Sequence, residues 1–228
     1  MKVGSLEIEL VRKNIKNLYI RVYPPDGRIR VVCPQKLEET QIRQFIAAKI
    51  RWIEQKQTKF RLQPPTSPRR YVTGESCYFK GDRFILEVIY HHAPPRVEID
   101  ASTINLYVRY GSIEEQRERV LTEWYRQQLK AELPSIIAKW EGVIGVKTND
   151  WGVKKMKTRW GTCNTRAKRI WLNLELIKKP THCLEYVVVH ELVHLLERQH
   201  NARFWHYVSL FMPEWQQYRA ELQQRTYI

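Results

Sequence analysis

Residues 187–196 read Val-Val-Val-His-Glu-Leu-Val-His-Leu-Leu and contain the pattern H-E-x-x-H at His190, Glu191 and His194. The flanking residues are apolar at helical spacing, which predicts a helix over about 182–198. On a helix, residues four apart lie on one face about one turn apart. Two imidazoles placed in this way can bind one zinc ion, and Glu191 can reach a water held by the metal. The alternative is a helix with two exposed or core-packed histidines.

A catalytic zinc ion takes three protein ligands and keeps a fourth position open for water. His200 is the first candidate for the third ligand, because it follows His190 by ten residues, as in H-E-x-x-H-x-x-G-x-x-H enzymes. His200 reaches the metal only if the helix ends near 198–199 and the chain turns back. Asn201 can cap a new helix, predicted over 202–224, directly after such a turn. The alternative third ligands are Glu197, Glu214 and His206.

A second motif, Met-Lys-Thr-Arg-Trp-Gly-Thr-Cys-Asn at 156–164, precedes a predicted strand over 170–174. An edge strand beside a metal site can pair with an extended peptide backbone. Gly161 permits a tight bend or a close backbone approach. Arg159 can bind a carboxylate or stabilise an oxyanion, and a structural ion pair is its alternative. Trp160 can contact substrate or, as the simpler interpretation, pack into the core.

The remaining chain predicts an α+β fold. Alternating apolar residues indicate strands in the first 33 residues, and a helix is predicted over 38–61. A proline-rich linker at 63–68 and a second β-rich stretch follow, so that 1–110 forms a β-rich N-terminal region. Helices prevail in 111–228, where we expect Pro134 to kink or end the first of them.

Composition limits the class of protein. The chain has 228 residues, 43% of them hydrophobic, which is enough apolar material for a core and argues against wholesale disorder. No apolar stretch approaches the roughly 18 residues of a membrane span, so we expect no membrane partner. The start lacks the apolar region of a signal peptide, and the four cysteines form no C-x-x-C pair. Together these features favour a cytoplasmic protein.

The net charge of +15 is concentrated in two segments. Residues 43–70 hold eight basic residues and one acidic residue, and residues 154–179 hold nine and one. Such positive segments attract nucleic acid, other anionic partners or acidic protein. The alternative is that both segments are simply solvated surface.

The motif at 156–163 resembles the M-K-S-R-W-G-S-C of the YgjP-like metallopeptidases, zinc peptidases related to SprT-like and WLM-type proteases. The segments 170–174 and 186–194, together with His200, Phe204 and Trp205, match as well. Weaker matches fall in the expected order over the N-terminal region, at 31–34, 51–53 and 71–75. The sequence has Thr162 where the family has Ser, and Asn201-Ala202 where Ser-Pro is frequent.

The resemblance implies a zincin-like metallopeptidase domain over 111–228, with a short sheet lying over the HExxH helix. It implies Zn²⁺ held by His190, His194 and His200, with Glu191 as the general base. We therefore expect a zinc metalloendopeptidase acting on protein or peptide substrates. The alternative of another class is a DNA-associated basic protein in which the zinc site is secondary, and a third is a maturation factor that only binds.

Overall fold

The computed structural model describes residues 1–23, 26–61 and 69–223. The chain forms two compact units, Met1–Pro68 and Arg69–Ile228. The mixed α+β class predicted from the sequence is confirmed, because both units combine sheets with helices. The predicted linker at 63–68 lies outside the described residues. Within the described ranges, no helix is long and apolar enough to cross a membrane.

The described residues of the first unit form a four-stranded sheet with two helices. Its elements are β1 (Lys2–Val3), β2 (Leu6–Lys13), β3 (Tyr19–Tyr23), β4 (Arg28–Pro34), α1 (Glu39–Ala47) and α2 (Ile50–Arg61). The strand order is β1-β2-β4-β3, with β2 and β4 parallel and the other pairs antiparallel. Alternate strand residues and apolar helix residues share one buried core, formed by Leu6, Ile8, Ile29, Val31, Cys33, Ile42, Ile46 and Ile53.

Two helices occupy the range predicted as one helix over 38–61. The Lys49 N–H bonds to the Ile46 carbonyl, and this three-residue bond tightens the chain between α1 and α2. The break has no Gly or Pro to mark it, and Ile46 and Ile53 on its two sides are both fully buried. The apolar periodicity therefore continues across the break, which is why the sequence pattern did not indicate it.

The second unit holds two sheets and four α-helices among its described residues. Its elements are β5 (Ser76–Phe79), β6 (Asp82–Tyr90), β7 (Arg96–Ile99), β8 (Thr103–Val108), α3 (Glu114–Ile144), β9 (Asp150–Lys154), β10 (Gly161–Asn164), β11 (Arg169–Asn173), a 3₁₀ helix (Leu174–Lys178), α4 (Thr181–Val193), α5 (Ala202–Phe211) and α6 (Trp215–Leu222). One sheet has the order β5-β6-β8-β7 and the other β10-β11-β9. In the smaller sheet, β9 and β11 are parallel, and β10 pairs antiparallel with β11 at the edge.

One core joins the larger sheet to the helices of the second unit. Leu86 and Leu106 of the sheet are fully buried in the same cluster as Leu129 of α3 and Val188 of α4. The compact unit therefore begins at Arg69 and includes strands that the sequence-based division assigned to the N-terminal region. That the catalytic domain begins at residue 111 stays a prediction.

Helix α3 continues through Pro134, so of the two outcomes expected for this proline, a kink or an end of the helix, the end is wrong. Proline lacks the N–H that would bond to the Lys130 carbonyl. Both residues lie on the exposed side of α3, where water can bind that carbonyl. Leu133 and Ile137, before and after Pro134 along the helix, are buried in the core. Apolar burial on both sides of Pro134 thus offsets the lost hydrogen bond.

The C-terminal end of α3 is held by the buried Glu141 carboxylate. It accepts hydrogen bonds from Thr148 N at 2.7 Å, Thr148 Oγ1 at 2.6 Å and Lys147 Nζ at 2.7 Å. Burial alone would raise the pKa of Glu141, but these hydrogen bonds outweigh it and hold the pKa below the ordinary value. The carboxylate therefore stabilises the fold above about pH 4.5, and this stabilisation is lost as the pH falls through the lowered pKa.

We expect Glu141→Ala to reduce the free energy of unfolding by about 2–3 kcal/mol at neutral pH, because it removes a charged acceptor from two partly buried donors of Thr148. Glu123→Ala is the matched control, since Glu123 forms an exposed ion pair with Arg126 on the same helix. The control should cost at most about 1 kcal/mol. Chemical denaturation at pH 7 and pH 4 measures both. Equal losses for the two variants would show that the Glu141 hydrogen bonds do not stabilise the helix end.

Candidate metal centre

Helix α4 ends at Val193, five residues before the end predicted at 198. The Leu195 and Leu196 N–H groups bond three residues back, each at 2.9 Å, and these bonds tighten the chain after the helix. The chain then turns back, and the Asn201 Oδ1 accepts the Phe204 N–H at 3.0 Å to begin α5. The predicted cap at Asn201 is therefore confirmed, and the turn that precedes it brings His200 back toward α4.

The three histidines of the sequence motif converge. One ligand-capable atom from each of His190, His194 and His200 lies within 4.8 Å of the others. The Nε2 atoms of His190 and His200 are 2.9 Å apart. The Nδ1 of His194 faces the Glu197 carbonyl at 3.3 Å, which favours a proton on Nδ1 and leaves Nε2 as a free electron-pair donor.

The electrostatics of the cluster suit a metal ion. Burial, and next the charges that His194 and His200 would carry, lower the pKa of His190 to about 3. Burial also lowers the pKa of His194. Neutral imidazoles donate electron pairs, and two nitrogens at 2.9 Å repel each other unless a proton or a cation lies between them. Three imidazole nitrogens are a ligand set of zinc and related transition metals.

The alternative ligands lie elsewhere. Among the described residues, one other group of three metal-ligating side chains is this compact, and it consists of His182, Cys183 and Glu221. The Glu197 carboxylate accepts the Gln199 N–H at 3.1 Å. Glu214 precedes α6, and the His206 ring packs against Tyr207. The alternative third ligands Glu197, Glu214 and His206 are therefore not part of the histidine cluster.

Glu191 lies beside the histidines and against the edge strand. It is only 4% exposed, and it faces the Cα of Gly161 in β10 so closely that a Cβ there would lie 2.6 Å from Oε1. Burial raises the pKa of Glu191 to about 8, although the positive charge of Arg159 opposes the increase. A carboxyl group with a pKa near neutrality is suited to both accepting and donating a proton.

An open cleft of about 1080 Å³ exposes this cluster. Its lining includes the three sequence-predicted substrate-binding residues, Arg159, Trp160 and Gly161. Trp160 also packs against the core, as the simpler interpretation expected. The structural ion pair considered for Arg159 is not formed with any carboxylate in the described part of the chain.

The match to known proteins agrees with this geometry. Residues 16–225 match the family model described as YgjP-like, metallopeptidase domain. The chain belongs to the YgjP-like metallopeptidase family. Membership of this family identifies the chain as a peptidase, which acts on proteins or peptides. It also implies a metal ion.

A solved structure is also similar to part of this YgjP-like chain. The crystal structure of the metallopeptidase zymogen of Pyrococcus abyssi abylysin is 16% identical over 41% of the present chain and 93% of the abylysin chain. Its TM-score of 0.38 is too low to support an argument about the site. No curated protein matches the sequence significantly.

Asn173 is a residue of this YgjP-like site that the sequence motifs did not single out. Its buried side chain donates to the Met156 and Arg159 carbonyls at 2.9 and 2.8 Å. Its Oδ1 accepts the Met156 and Glu175 N–H groups, each at 3.2 Å. These bonds hold the 156–160 loop against the end of β11. The signal in the sequence is one polar residue within the apolar run 170–174.

We expect Gly161→Ala in this family member to lower the free energy of unfolding by about 1–3 kcal/mol, because the new methyl group must displace the Glu191 carboxyl group. Gly142→Ala on α3 is the control, since a Cβ there meets nothing within 4 Å. It should stabilise the helix by up to about 1 kcal/mol. Thermal and chemical denaturation measure both variants, and a stabilising Gly161→Ala would refute the close approach.

Proposed function

We propose that the chain is a zinc-dependent endopeptidase with His190, His194 and His200 as the zinc ligands and Glu191 as the general base. The observation that carries this proposal is the convergence of three imidazole donors beside one buried carboxyl group at an open cleft. Family membership supports the peptidase activity. The open cleft favours cleavage within a chain, since an extended peptide can enter and leave along β10.

The residues around the proposed ligands hold them in place. Phe204 is fully buried, and its ring centroid lies 4.9, 4.6 and 4.7 Å from those of His190, His194 and His200. The Glu197 carbonyl orients His194 through Nδ1. When bound, zinc supplies a Lewis acid that polarises a carbonyl and makes a water molecule more acidic.

Glu191 performs the proton transfers in this proposal. Its carboxylate takes a proton from the attacking water and then delivers that proton to the leaving amine nitrogen. Its position follows from the helix, because Glu191 is the neighbour of His190 on α4. The contact with Gly161 limits the rotation of the carboxyl group and keeps it beside the histidines.

The edge strand β10 offers a binding site for the peptide backbone. The Asn173 N–H bonds to the Trp160 carbonyl at 2.8 Å, so the 160–173 pair is a hydrogen-bonded pair of the antiparallel ladder. Hydrogen-bonded and non-hydrogen-bonded pairs alternate along an antiparallel ladder. Gly161 and Cys163 belong to non-hydrogen-bonded pairs, so their N–H and C=O groups face away from β11, on the outer edge of the sheet. An extended substrate can pair with these groups next to Glu191.

The basic segments and the cysteines concern partners and location. The family match does not support a nucleic-acid partner for the basic segments 43–70 and 154–179. All four cysteines are free thiols, and this agrees with the reducing cytoplasm that we propose as the location.

Zinc binding tests the ligand set. We expect His190→Ala and His200→Ala each to weaken zinc affinity by more than about 10–100-fold. Removing a residue that only hydrogen-bonds to a metal ligand already causes a loss of that size, and removing the ligand itself should cost more. His206→Ala is the control, because its exposed ring lies outside the cluster. Competition with a chelator and metal analysis of the dialysed protein measure the effect. Unchanged zinc affinity in His200→Ala would remove His200 from the ligand set.

Glu191→Gln tests the general base. We expect this variant to bind zinc fully and to lose about 10²–10⁴-fold in kcat, because the amide cannot accept the proton. Glu87→Gln, a change of the same kind at an exposed position of β6, should keep wild-type activity. Cleavage of an unfolded protein by the zinc-loaded variants is measured by gel and mass spectrometry. Full activity of zinc-loaded Glu191→Gln would exclude Glu191 as the base.

A further inference from the structure

The cleft is lined by four arginines and one acidic residue. The arginines are Arg159, Arg166, Arg198 and Arg219, and the acidic residue is Glu191. Arg198 and Arg219 lie outside the basic segment 154–179, so the folded chain adds charge to the cleft that the linear pattern does not show. All four side chains are exposed to the solvent that fills the cleft.

None of the four arginines forms an ion pair with a carboxylate in the described part of the chain. Several basic side chains elsewhere in the second unit do form such pairs, among them Lys80 with Glu132, Lys139 with Glu185, and Lys155 with Glu118. Unpaired cations around one cleft create a positive potential that concentrates anionic ligands.

Arg219 is the arginine whose position is best determined. Its guanidinium lies over the Trp205 ring at 5.0 Å and over the Trp215 ring at 5.8 Å. The two indoles stack at 4.5 Å with an interplanar angle of 20°. Trp205 also stacks on His200, with centroids 5.7 Å apart. One aromatic stack therefore holds both a proposed zinc ligand and Arg219.

We propose that the cleft selects peptides with Asp or Glu close to the scissile bond, and that Arg219 is the main residue that binds this carboxylate. The planar guanidinium can donate two parallel hydrogen bonds to a carboxylate, and its stacking reduces the entropy lost on binding. The peptide class is favoured over nucleic acid because β10 presents backbone groups to an extended chain. This inference rests on the proposed peptidase function.

Matched peptides test the inference. Two peptides differ only in Glu or Gln at the residues flanking the cleaved bond, and kcat/KM is measured for each with zinc-loaded protein. We expect a preference of about 10- to 100-fold for the Glu peptide, the range of a charge-assisted pair. Arg219→Gln should remove most of this preference and Arg219→Lys should keep part of it. Lys130→Gln, an equal charge change on the exposed face of α3, should keep the wild-type ratio.

A second arm separates this inference from the proposed function. Binding of the two fluorescent peptides to Glu191→Gln is followed by anisotropy, with and without Arg219→Gln, after zinc content and unfolding temperature are shown to be unchanged. A preference for the Glu peptide that Arg219→Gln removes supports the inference even if no peptide is cleaved. Cleavage of both peptides with equal kcat/KM overturns the inference and leaves the peptidase function intact.

Nucleic acid provides the other outcome. A single-stranded oligonucleotide competes with the Glu peptide in the same binding assay. Displacement at oligonucleotide concentrations far below those of unlabelled Glu peptide, lost in Arg219→Gln, would overturn the acidic-peptide assignment. Displacement only at higher concentrations supports it.

Discussion

The contact between the β10 backbone and the Glu191 side chain is the constraint on which the cleft depends. Helix α4 cannot shift away, because Val188, Val189, Leu192 and Val193 are fully buried on its other faces. The edge strand must therefore approach the helix to within side-chain contact, and only glycine at position 161 leaves room for it. The same contact removes water from Glu191 and forms one wall of the cleft. It therefore both positions this carboxyl group and contributes to the burial that raises its pKa.

The aromatic residues packed against the histidines connect the proposed ligand cluster to Arg219, the residue proposed to bind substrate. Phe204 touches all three imidazoles, and the neighbouring Trp205 continues through Trp215 to Arg219. The position of Arg219 also shows that the charge of the cleft differs from the distribution of the net charge of +15 along the sequence. The sequence concentrates the charge in two segments, whereas the cleft draws its arginines from the 156–160 loop, the β10–β11 turn, the turn after α4, and α6.

Residues with local signals could be predicted from the sequence. The H-E-x-x-H helix, the turn back to His200 and the cap at Asn201 depend on neighbours within eleven positions, and the family motif lies in one short stretch. The break between α1 and α2 and the continuation of α3 through Pro134 could not be predicted, because burial against distant elements decides both. Arg219 and Asn173 join the site only through tertiary packing. No spacing rule connects Arg219 to residues 190–200.

The histidine cluster has a consequence for how the second unit forms. Its three rings come from positions 190, 194 and 200, so bringing them together closes a loop of ten residues and costs little chain entropy. The rest of the cleft lining needs contacts between residues farther apart in the chain. Strands β9 and β11 pair across about twenty residues, and α6 packs into the unit from still farther along the chain. Contacts between near neighbours thus bring the three histidines together, whereas the cleft exists only when the whole unit is folded.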